Sequence, residues 1–128
     1  MGKEERKKAQ DLWAANKYLV LSKSHKHYLA IRNYLKKENI QLINVQELIN
    51  EAISLPENKN DIVNAYQHIW GYFKNEASQA EKEKFLKLIA QYQDGIIKKE
   101  KVLAYLSTLL EKYPKQYLQK STIFKEKP

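Results

Sequence analysis

The chain has 128 residues, of which 43% are hydrophobic and 30% are charged, a composition typical of a single globular domain, here 1–128. It has no cysteine, which excludes disulfides, thiolate nucleophiles, zinc–thiolate sites and cysteine-ligated iron–sulfur clusters. Only three glycines and three prolines occur, so an all-α fold is favoured over one that needs many turns.

The first helix is predicted from about Glu4 to Leu21, where apolar residues recur at helical spacing. Ser24 is placed to cap a second helix, which should end near residues 38–39. The inward positions predicted for these two helices are Leu12, Ala15, Leu19, Tyr28, Ile31 and Leu35.

A third helix is predicted to begin at a capping box of Asn44 and Glu47 and to end before Pro56. Asp61 should cap a fourth helix that contains Gly71. Because glycine costs about 1 kcal/mol relative to alanine inside a helix, Gly71 indicates a close helix crossing or backbone approach. The inward positions are Val45, Leu48, Ile49, Ala52, Ile53, Ile62, Ala65, Tyr66, Ile69 and Phe73.

Ser78 and Glu81 form the clearest capping box, and the fifth helix that they open should end at Gly95 in the left-handed conformation. A sixth helix is predicted over about 98–113, followed at once by Pro114. The inward positions are Phe85, Leu88, Ile89, Tyr92, Val102, Leu106, Leu109, Leu110 and Tyr113.

The C-terminal segment is expected to add one short turn at Tyr117 and Leu118 that packs back on the body. The tail from about Thr122 should be loosely ordered. Short connections between helices favour antiparallel neighbours, so we expect an all-α, compact bundle of about six helices with a short extra C-terminal turn.

The charge is unevenly distributed along the chain. Residues 1–37 carry ten Lys or Arg against three Asp or Glu, residues 38–97 carry five against nine, and residues 98–128 carry eight against three. If the two basic ends meet in the fold, they form one positive face that attracts polyanions. The alternative is an ordinary, solvated lysine-rich surface.

The sequence offers no pattern for chemistry of its own. His25 and His27 lie two apart, no HExxH or histidine–carboxylate cluster occurs, and neither a GxSxG elbow nor a glycine-rich phosphate loop is present. We therefore predict no catalytic residues, no metal and no cofactor. No apolar run approaches the roughly 18 residues that span a bilayer, and no apolar signal core follows the charged N-terminus, so we expect no membrane partner and a cytoplasmic location.

Two segments mix cations, hydroxyls and rings, namely residues 16–28 and the sequence NAYQHIWGYFK at 64–74. Lysine and arginine can contact phosphates, while tyrosine and histidine can stack on unpaired bases. The alternative is that Tyr28 is a core residue and His68 an ordinary structural histidine, and Trp13 and Trp70 are expected in the core. The candidate nucleic-acid-binding residues are Lys17, Lys23, Ser24, Lys26, Tyr28, Arg32, His68, Tyr72 and Lys74.

Three segments carry a family resemblance. LWAANKYLVLSKSHKHY, NAYQHIWGYFKNEAS with the EK that follows, and YPKQYL resemble the opening, central and closing motifs of the YbgA-like family of bacterial domains of unknown function. The matching positions are Lys17, Ser24, Tyr28, His68, Gly71, Tyr72 and Lys74. The chain departs from the family pattern at Lys23 and Lys98, where we expect His and Pro.

The resemblance implies a role in RNA binding. The family's domain occurs alone or fused behind a cysteine-rich, iron–sulfur desulfidase domain of the thiouracil-desulfurase type. The fused protein acts on thiolated uridine in tRNA, and the helical domain resembles its RNA-binding part. By resemblance, the present chain is such a domain without the catalytic half.

We therefore predict a stand-alone nucleic-acid-binding module for structured RNA such as tRNA, without catalytic activity of its own. Lys17, Lys23, Lys26 and Arg32 would contact phosphates, while Tyr28, His68 and Tyr72 would shape or stack within a pocket where the first and fourth helices meet. One alternative is a protein-interaction domain whose acidic middle docks on a separately encoded enzyme, such as a desulfidase or a DNA-repair protein. Another is a small-molecule enzyme using His68 and Tyr72.

Overall fold

The computed structural model of the chain describes residues 2–125. Within this range the chain forms seven α-helices and one 3₁₀ turn, and no strand. Their bounds are α1 Lys3–Lys23, α2 His25–Tyr34, α3 Leu42–Ile53, α4 Lys59–Trp70, α5 Gln79–Gln93, α6 Lys99–Lys112, α7 Gln116–Gln119 and the C-terminal 3₁₀ turn Thr122–Lys125. The prediction of an all-α bundle of about six helices with a short extra turn is confirmed.

The longest helix, α1, organises the bundle, because α2, α3, α4 and the C-terminal 3₁₀ turn all pack against it. Two apolar clusters meet along α1. Trp13 and Val20 point into a smaller one with α2 and α3, whereas Leu19 points into a larger one built mainly by α4, α5 and α6. Hence α1 buries two stripes, and Trp13 is more deeply buried than the predicted Leu12.

The inward positions predicted for α3 to α6 are confirmed, because every one of them is at least half-buried. Phe73 and Phe85 are among the largest fully buried side chains, and the rings of Trp70 and Phe85 stack with their centroids 5.0 Å apart. Trp13 and Trp70 both lie in the core, as expected. None of the helices in residues 2–125 combines the length and the apolar character needed to cross a membrane.

Three helix boundaries follow the local chemistry that the sequence indicates. The Ser24 hydroxyl caps α2 by accepting the His27 N–H, and Ser78 and Glu81 form the complete capping box of α5. Gly95 ends α5 with φ at 76°, and its N–H donates to the Tyr92 carbonyl at 3.0 Å. A residue in the left-handed conformation lets its N–H donate to a carbonyl at the end of the helix, and glycine adopts this conformation without a steric penalty.

The predicted start of α3 is wrong, because other helices supply its cap. The Leu42 N–H donates to the Glu5 carboxylate of α1 at 3.0 Å, and the Gln41 N–H donates to the Tyr34 hydroxyl at 2.8 Å. The Asn44 amide also donates to the Tyr34 hydroxyl, at 3.0 Å, instead of capping. Helix α3 therefore begins at Leu42, two residues before the predicted Asn44, and a local sequence pattern cannot reveal caps of this kind.

The cap of α4 is also misassigned by the sequence. The Asn58 side chain, rather than Asp61, caps the helix by accepting the Asp61 N–H at 3.1 Å, so α4 begins at Lys59. Both residue types are good caps, and Asp61 instead places its carboxylate in the first turn, where the helix dipole favours a negative charge.

Gly71 does not mark a helix crossing. It is the exposed residue that ends α4, with φ at −54°, and a Cβ at this position would lie 3.1 Å from the carbonyl oxygen of His68. The close approach is thus to the helix's own last turn, where Gly71 donates its N–H to the Gln67 carbonyl at 3.1 Å and the chain begins a run of turns.

The tail prediction is wrong for the residues up to Lys125. Ile123 is 1% exposed and Leu118 of α7 is fully buried, so apolar side chains fix this segment on the body. The Thr122 hydroxyl donates to the Ala15 carbonyl of α1 at 3.1 Å. The rest of the predicted tail, 126–128, lies outside the described residues.

A carboxylate at the start of α5 joins that helix to the C-terminal end of α6. Glu81 accepts the Ser78 N–H at 2.9 Å, the Tyr113 hydroxyl at 2.7 Å and the Lys112 ammonium at 3.0 Å. The hydrogen bond from the Ser78 backbone, followed by those from Tyr113 and Lys112, lowers the pKa of Glu81 to about 2. The Glu81 carboxylate is therefore ionised across most of the acid range.

Replacing Glu81 with Gln should remove an acid-sensitive part of the stability. A carboxyl group whose pKa is lower in the folded state than in the unfolded state stabilises the fold at pH values above its unfolded pKa, which is about 4.3 for glutamate. This stabilisation is lost as the pH falls towards 2. We therefore expect E81Q to lower the melting temperature at pH 7 and to approach the wild type near pH 2.5. Melting temperatures measured by circular dichroism across this range test it, with E111Q on the exposed face of α6 as the control. Parallel wild-type and E81Q curves would contradict the prediction.

Candidate nucleic-acid interface

Three tyrosines from distant parts of the chain form one cluster, which we call the tyrosine cluster: Tyr18 of α1, Tyr72 just after α4 and Tyr117 of α7. The hydroxyls of Tyr18 and Tyr72 share a hydrogen bond of 2.7 Å, and their rings meet edge to face at 6.0 Å. The Tyr72 and Tyr117 rings are nearly parallel at 6.3 Å, and those of Tyr18 and Tyr117 are edge to face at 6.5 Å. Each of the three resembling motifs therefore contributes one ring.

The members of the tyrosine cluster differ in exposure. Tyr18 is only 6% exposed, Tyr72 is half-buried, and Tyr117 is 39% exposed. Burial, reinforced by the hydrogen bond shared with Tyr72, raises the pKa of Tyr18 far above its ordinary value, so its phenol stays neutral. The cluster thus has a buried, hydrogen-bonded base and one ring that reaches solvent.

Lys17 adds a cation to the tyrosine cluster. Its ammonium lies 5.3 Å from the centroid of the Tyr117 ring and 5.7 Å from that of the Tyr18 ring. An ammonium this close to an aromatic face is attracted by the negative π surface. The structure therefore places a positive charge beside the exposed ring.

A groove of about 570 Å³ runs between α1 and α7, and we call it the α1/α7 groove. Its lining residues are Lys7, Asp11, Ala14, Ala15, Gln116, Tyr117 and Lys120. Lys7 and Asp11 form an exposed ion pair of 3.1 Å one helical turn apart on α1. Tyr117 belongs both to the groove and to the tyrosine cluster, so the two features form one continuous surface.

Polar contacts fix the C-terminal segment against α1 beside this surface. The Thr122 hydroxyl lies within hydrogen-bond distance of the Ala15 carbonyl, at 3.1 Å, and of the Asn16 side-chain oxygen, at 2.9 Å. The Asn16 amide donates to the Leu12 carbonyl at 3.0 Å. The two basic ends of the chain therefore meet in the fold.

The other predicted phosphate-binding cations lie elsewhere. Lys23 follows Lys17 by six residues, so the two side chains lie about 120° apart around the helix. The charge of Lys23 instead helps to lower the pKa of Glu57, which forms an ion pair with Lys99 at 2.7 Å. Lys26 and Arg32 are exposed on α2, again six residues apart, and so project in different directions. Of the four cations, only Lys17 reaches the tyrosine cluster.

Ser24 is occupied in a chain of hydrogen bonds between α2 and α3. Besides capping, its hydroxyl lies 2.9 Å from Nδ1 of His27, and Nε2 of His27 lies 2.9 Å from a carboxylate oxygen of Glu51. Neither Ser24 nor His27 lines the α1/α7 groove. The arrangement ties α2 to α3.

Tyr28 lies between the two apolar clusters instead of within the tyrosine cluster. It is half-buried, its ring centroid is 5.6 Å from that of Trp13, and it stacks on the His25 ring at 6.1 Å. Tyr28 therefore fills the junction of α1 and α2, a packing position.

His68 and Lys74 are both exposed, and neither makes a side-chain hydrogen bond or ion pair within residues 2–125. His68 does not line the α1/α7 groove, although Tyr72 of the tyrosine cluster lies four residues beyond it. No group of three or more His, Cys, Asp or Glu in the same range is arranged to hold a metal ion. Tyr72 thus contacts Tyr18 of α1, whereas His68 is exposed on α4.

Sequence reasoning missed several residues of this surface, chiefly Tyr18, Gln116, Tyr117 and Lys120. A signal existed, because Tyr18 lies in the opening motif and Tyr117 in the closing motif, and residues 98–128 are strongly basic. What the motifs do not reveal is that α7 turns Tyr117 onto α1.

Removing one hydroxyl of the Tyr18–Tyr72 pair should destabilise the fold. The partner hydroxyl is then left without its hydrogen bond, which costs about 1–3 kcal/mol when the group is buried. We expect Y72F, which leaves the buried Tyr18 hydroxyl unpaired, to lower the free energy of unfolding by this amount, and Y18F, which leaves the half-buried Tyr72 hydroxyl, to lower it by less. The double variant should lose less than the sum of the two. Urea unfolding of the four proteins measures the coupling, with Y117F as a control that retains the Tyr18–Tyr72 bond. Additive losses would contradict the prediction.

A comparison with known families identifies one match. The profile of DUF1722, described as a protein of unknown function, matches residues 17–128. No curated protein and no solved structure matches the chain. All three rings of the tyrosine cluster lie within the matched range.

Proposed function

The chain belongs to the DUF1722 family, whose function is unknown, and from this premise we propose that it is an RNA-binding module without catalytic activity of its own. The RNA is structured, tRNA being the leading candidate, and it is held at the α1/α7 groove and the tyrosine cluster. The single observation that carries the proposal is the meeting of the two basic ends at a surface with an exposed ring, Tyr117.

Electrostatics supports a polyanionic partner. The chain carries a formal net charge of +8, and lysines that neutralise phosphates release condensed counterions, which provides sequence-independent affinity. Lys17, Lys120 and Lys7 lie at or beside the groove. These side chains fit phosphates of a backbone that crosses from α1 to α7.

The rings favour RNA with unpaired bases over duplex DNA. Sequence-independent binding of single strands combines a cationic groove with aromatic side chains on which bases stack, and RNA loops supply such bases. The resemblance of the three motifs to YbgA-like domains, which occur fused to thiouracil-desulfurase-type domains, supports tRNA. We likewise propose that the chain is a YbgA-like member of its family and has a bacterial origin.

A salt titration of tRNA binding tests the proposal. With two to four phosphates neutralised, affinity should fall roughly 12- to 150-fold between 50 and 200 mM salt, since each contact contributes a slope of about −0.9. Fluorescence anisotropy of labelled tRNA measures this for the unmodified chain. An absence of binding at 50 mM salt, or an affinity that does not depend on salt, would contradict the proposal.

A second candidate function is protein docking, which one surface favours. A groove along α3 is lined by Leu12, Ile43, Glu47 and Ile53, and Ile43 is 53% exposed there. An apolar side chain next to a carboxylate, in the acidic middle of the chain, fits a partner with an apolar and basic face, such as a separately encoded desulfidase. Binding of the chain to a purified desulfidase would favour docking over RNA binding if this binding persists after nuclease treatment and is lost in I43D.

A further inference from the structure

The floor of the α1/α7 groove is made by two small side chains, Ala14 and Ala15, on one turn of α1. Both are half-buried, and because their side chains are single methyl groups, a flat ligand can approach the helix closely. The volume of about 570 Å³ lies within the range of small-ligand sites, which is about 300–1,000 Å³. The groove therefore has room for a group much larger than a water molecule, against a helix face that carries only methyl groups.

The wall of the groove contains an aromatic ring whose position is already fixed. Tyr117 is 39% exposed, although its neighbour Leu118 is fully buried. Tyr72 and Tyr18 contact the Tyr117 ring, and the Lys17 ammonium lies near its centroid. A ring held in this way loses little conformational freedom on binding, which favours stacking of a planar ligand.

The rim of the groove offers polar groups for an anion and a base edge. Lys120 and Gln116 line it, and neither side chain makes a hydrogen bond or ion pair with another described residue. The Lys7 charge is partly balanced by Asp11, whereas Lys120 is available to a phosphate. The Gln116 amide can both donate to and accept from the edge of a base.

We infer that the α1/α7 groove seats one unpaired base of the bound RNA, against the methyl groups of Ala14 and Ala15 and beside the Tyr117 ring, with Lys120 contacting an adjacent phosphate. The inference rests on the proposed function and specifies its ligand, which is a single-stranded or looped segment. A base within a duplex cannot enter, because its faces are covered by its neighbours in the stack.

Filling the groove tests the inference without changing any charge. Ala14→Leu places a larger side chain on the floor, and leucine is nearly as good a helix former as alanine. A short single-stranded RNA that contains the fluorescent base 2-aminopurine serves as the probe. We expect A14L to bind it at least about fivefold more weakly, because base stacking contributes roughly five- to 150-fold in affinity. The slope of affinity against salt should stay unchanged, and the quenching of 2-aminopurine seen with the wild type should be lost.

Matched variants make the test specific. Ala104→Leu makes the same change at an exposed position of α6 and should bind as the wild type does. Tyr117→Ala should lose affinity and quenching while Tyr117→Phe, which retains the ring, should keep both, and circular dichroism verifies that each variant is folded. These two variants decide the matter if A14L does not fold.

Failure of the inference and failure of the proposed function are distinguishable. Wild-type affinity and quenching in A14L and Y117A, with tRNA still bound in a salt-dependent manner, would overturn the seated base and leave the proposed RNA-binding function standing. Equal affinity of the wild type for the single strand and for its duplex, without quenching, would also overturn it. A wild type that binds no RNA at 50 mM salt would contradict the proposed function itself, and the inference with it.

Discussion

Reversing the charge of Lys17 and Lys120 together is expected to weaken tRNA binding at least about 100-fold at 0.1 M salt. Each lysine that contacts a phosphate contributes about tenfold at this salt concentration through counterion release, and a glutamate in its place adds repulsion. The slope of log affinity against log salt should become shallower by about 1.8, the contribution of two contacts. Anisotropy titrations of K17E/K120E at several salt concentrations measure both quantities.

A second double reversal separates a local site from a general charge effect. Lys84 and Lys87 lie on α5, where they line a different groove together with Lys101. K84E/K87E changes the net charge by the same amount and should weaken tRNA binding only a few-fold. Equal losses in the two double variants would mean that the RNA responds to the net charge of the chain and not to the α1/α7 groove.

Truncating Leu118 to alanine should have the largest effect on stability. Leu118 is fully buried and is the buried anchor of the four-residue helix α7, and a buried leucine replaced by alanine lowers the free energy of unfolding by about 2–5 kcal/mol. Because Tyr117 and Lys120 belong to the same short segment, L118A should also weaken tRNA binding under conditions where the variant is folded. Urea unfolding followed by anisotropy titration measures the two effects.

The matched control for this prediction is Leu86→Ala on α5. Leu86 is 50% exposed, so its truncation should change the free energy of unfolding by no more than about 0.5 kcal/mol, as is usual for surface substitutions. If L118A were as stable as L86A, the packing of α7 on the bundle would not hold the groove together.

The helices were predictable because each carries its own apolar stripe. The spacing of residues such as Phe85, Leu88 and Tyr92 determines which face is buried, and Ser78 and Gly95 mark the ends of α5 by local hydrogen-bond chemistry. The start of α3 was not predictable in this way. Its first N–H group, that of Leu42, is satisfied by Glu5, 37 positions away in sequence, and the N–H of Gln41 just before the helix is satisfied by the Tyr34 hydroxyl of α2.

The candidate interface was predictable only in part. Charge and motif pointed to Lys17 and Tyr72, and the fold brings these two residues together. Tyr117 was missed, since its place in the cluster depends on the burial of Leu118, which a four-residue helix reveals poorly. Lys23, by contrast, was grouped with Lys17 by charge alone, although helical phase separates the two by about 120°.

A residue-resolved NMR titration of the ¹⁵N-labelled chain with tRNA would settle most directly which surface meets the polyanion. The amide signals that shift most are expected to come from the helix turns around residues 7–18 and from residues 116–122, on the two sides of the α1/α7 groove. Shifts concentrated on α5 and α6, or spread evenly over all the exposed lysines, would contradict the account.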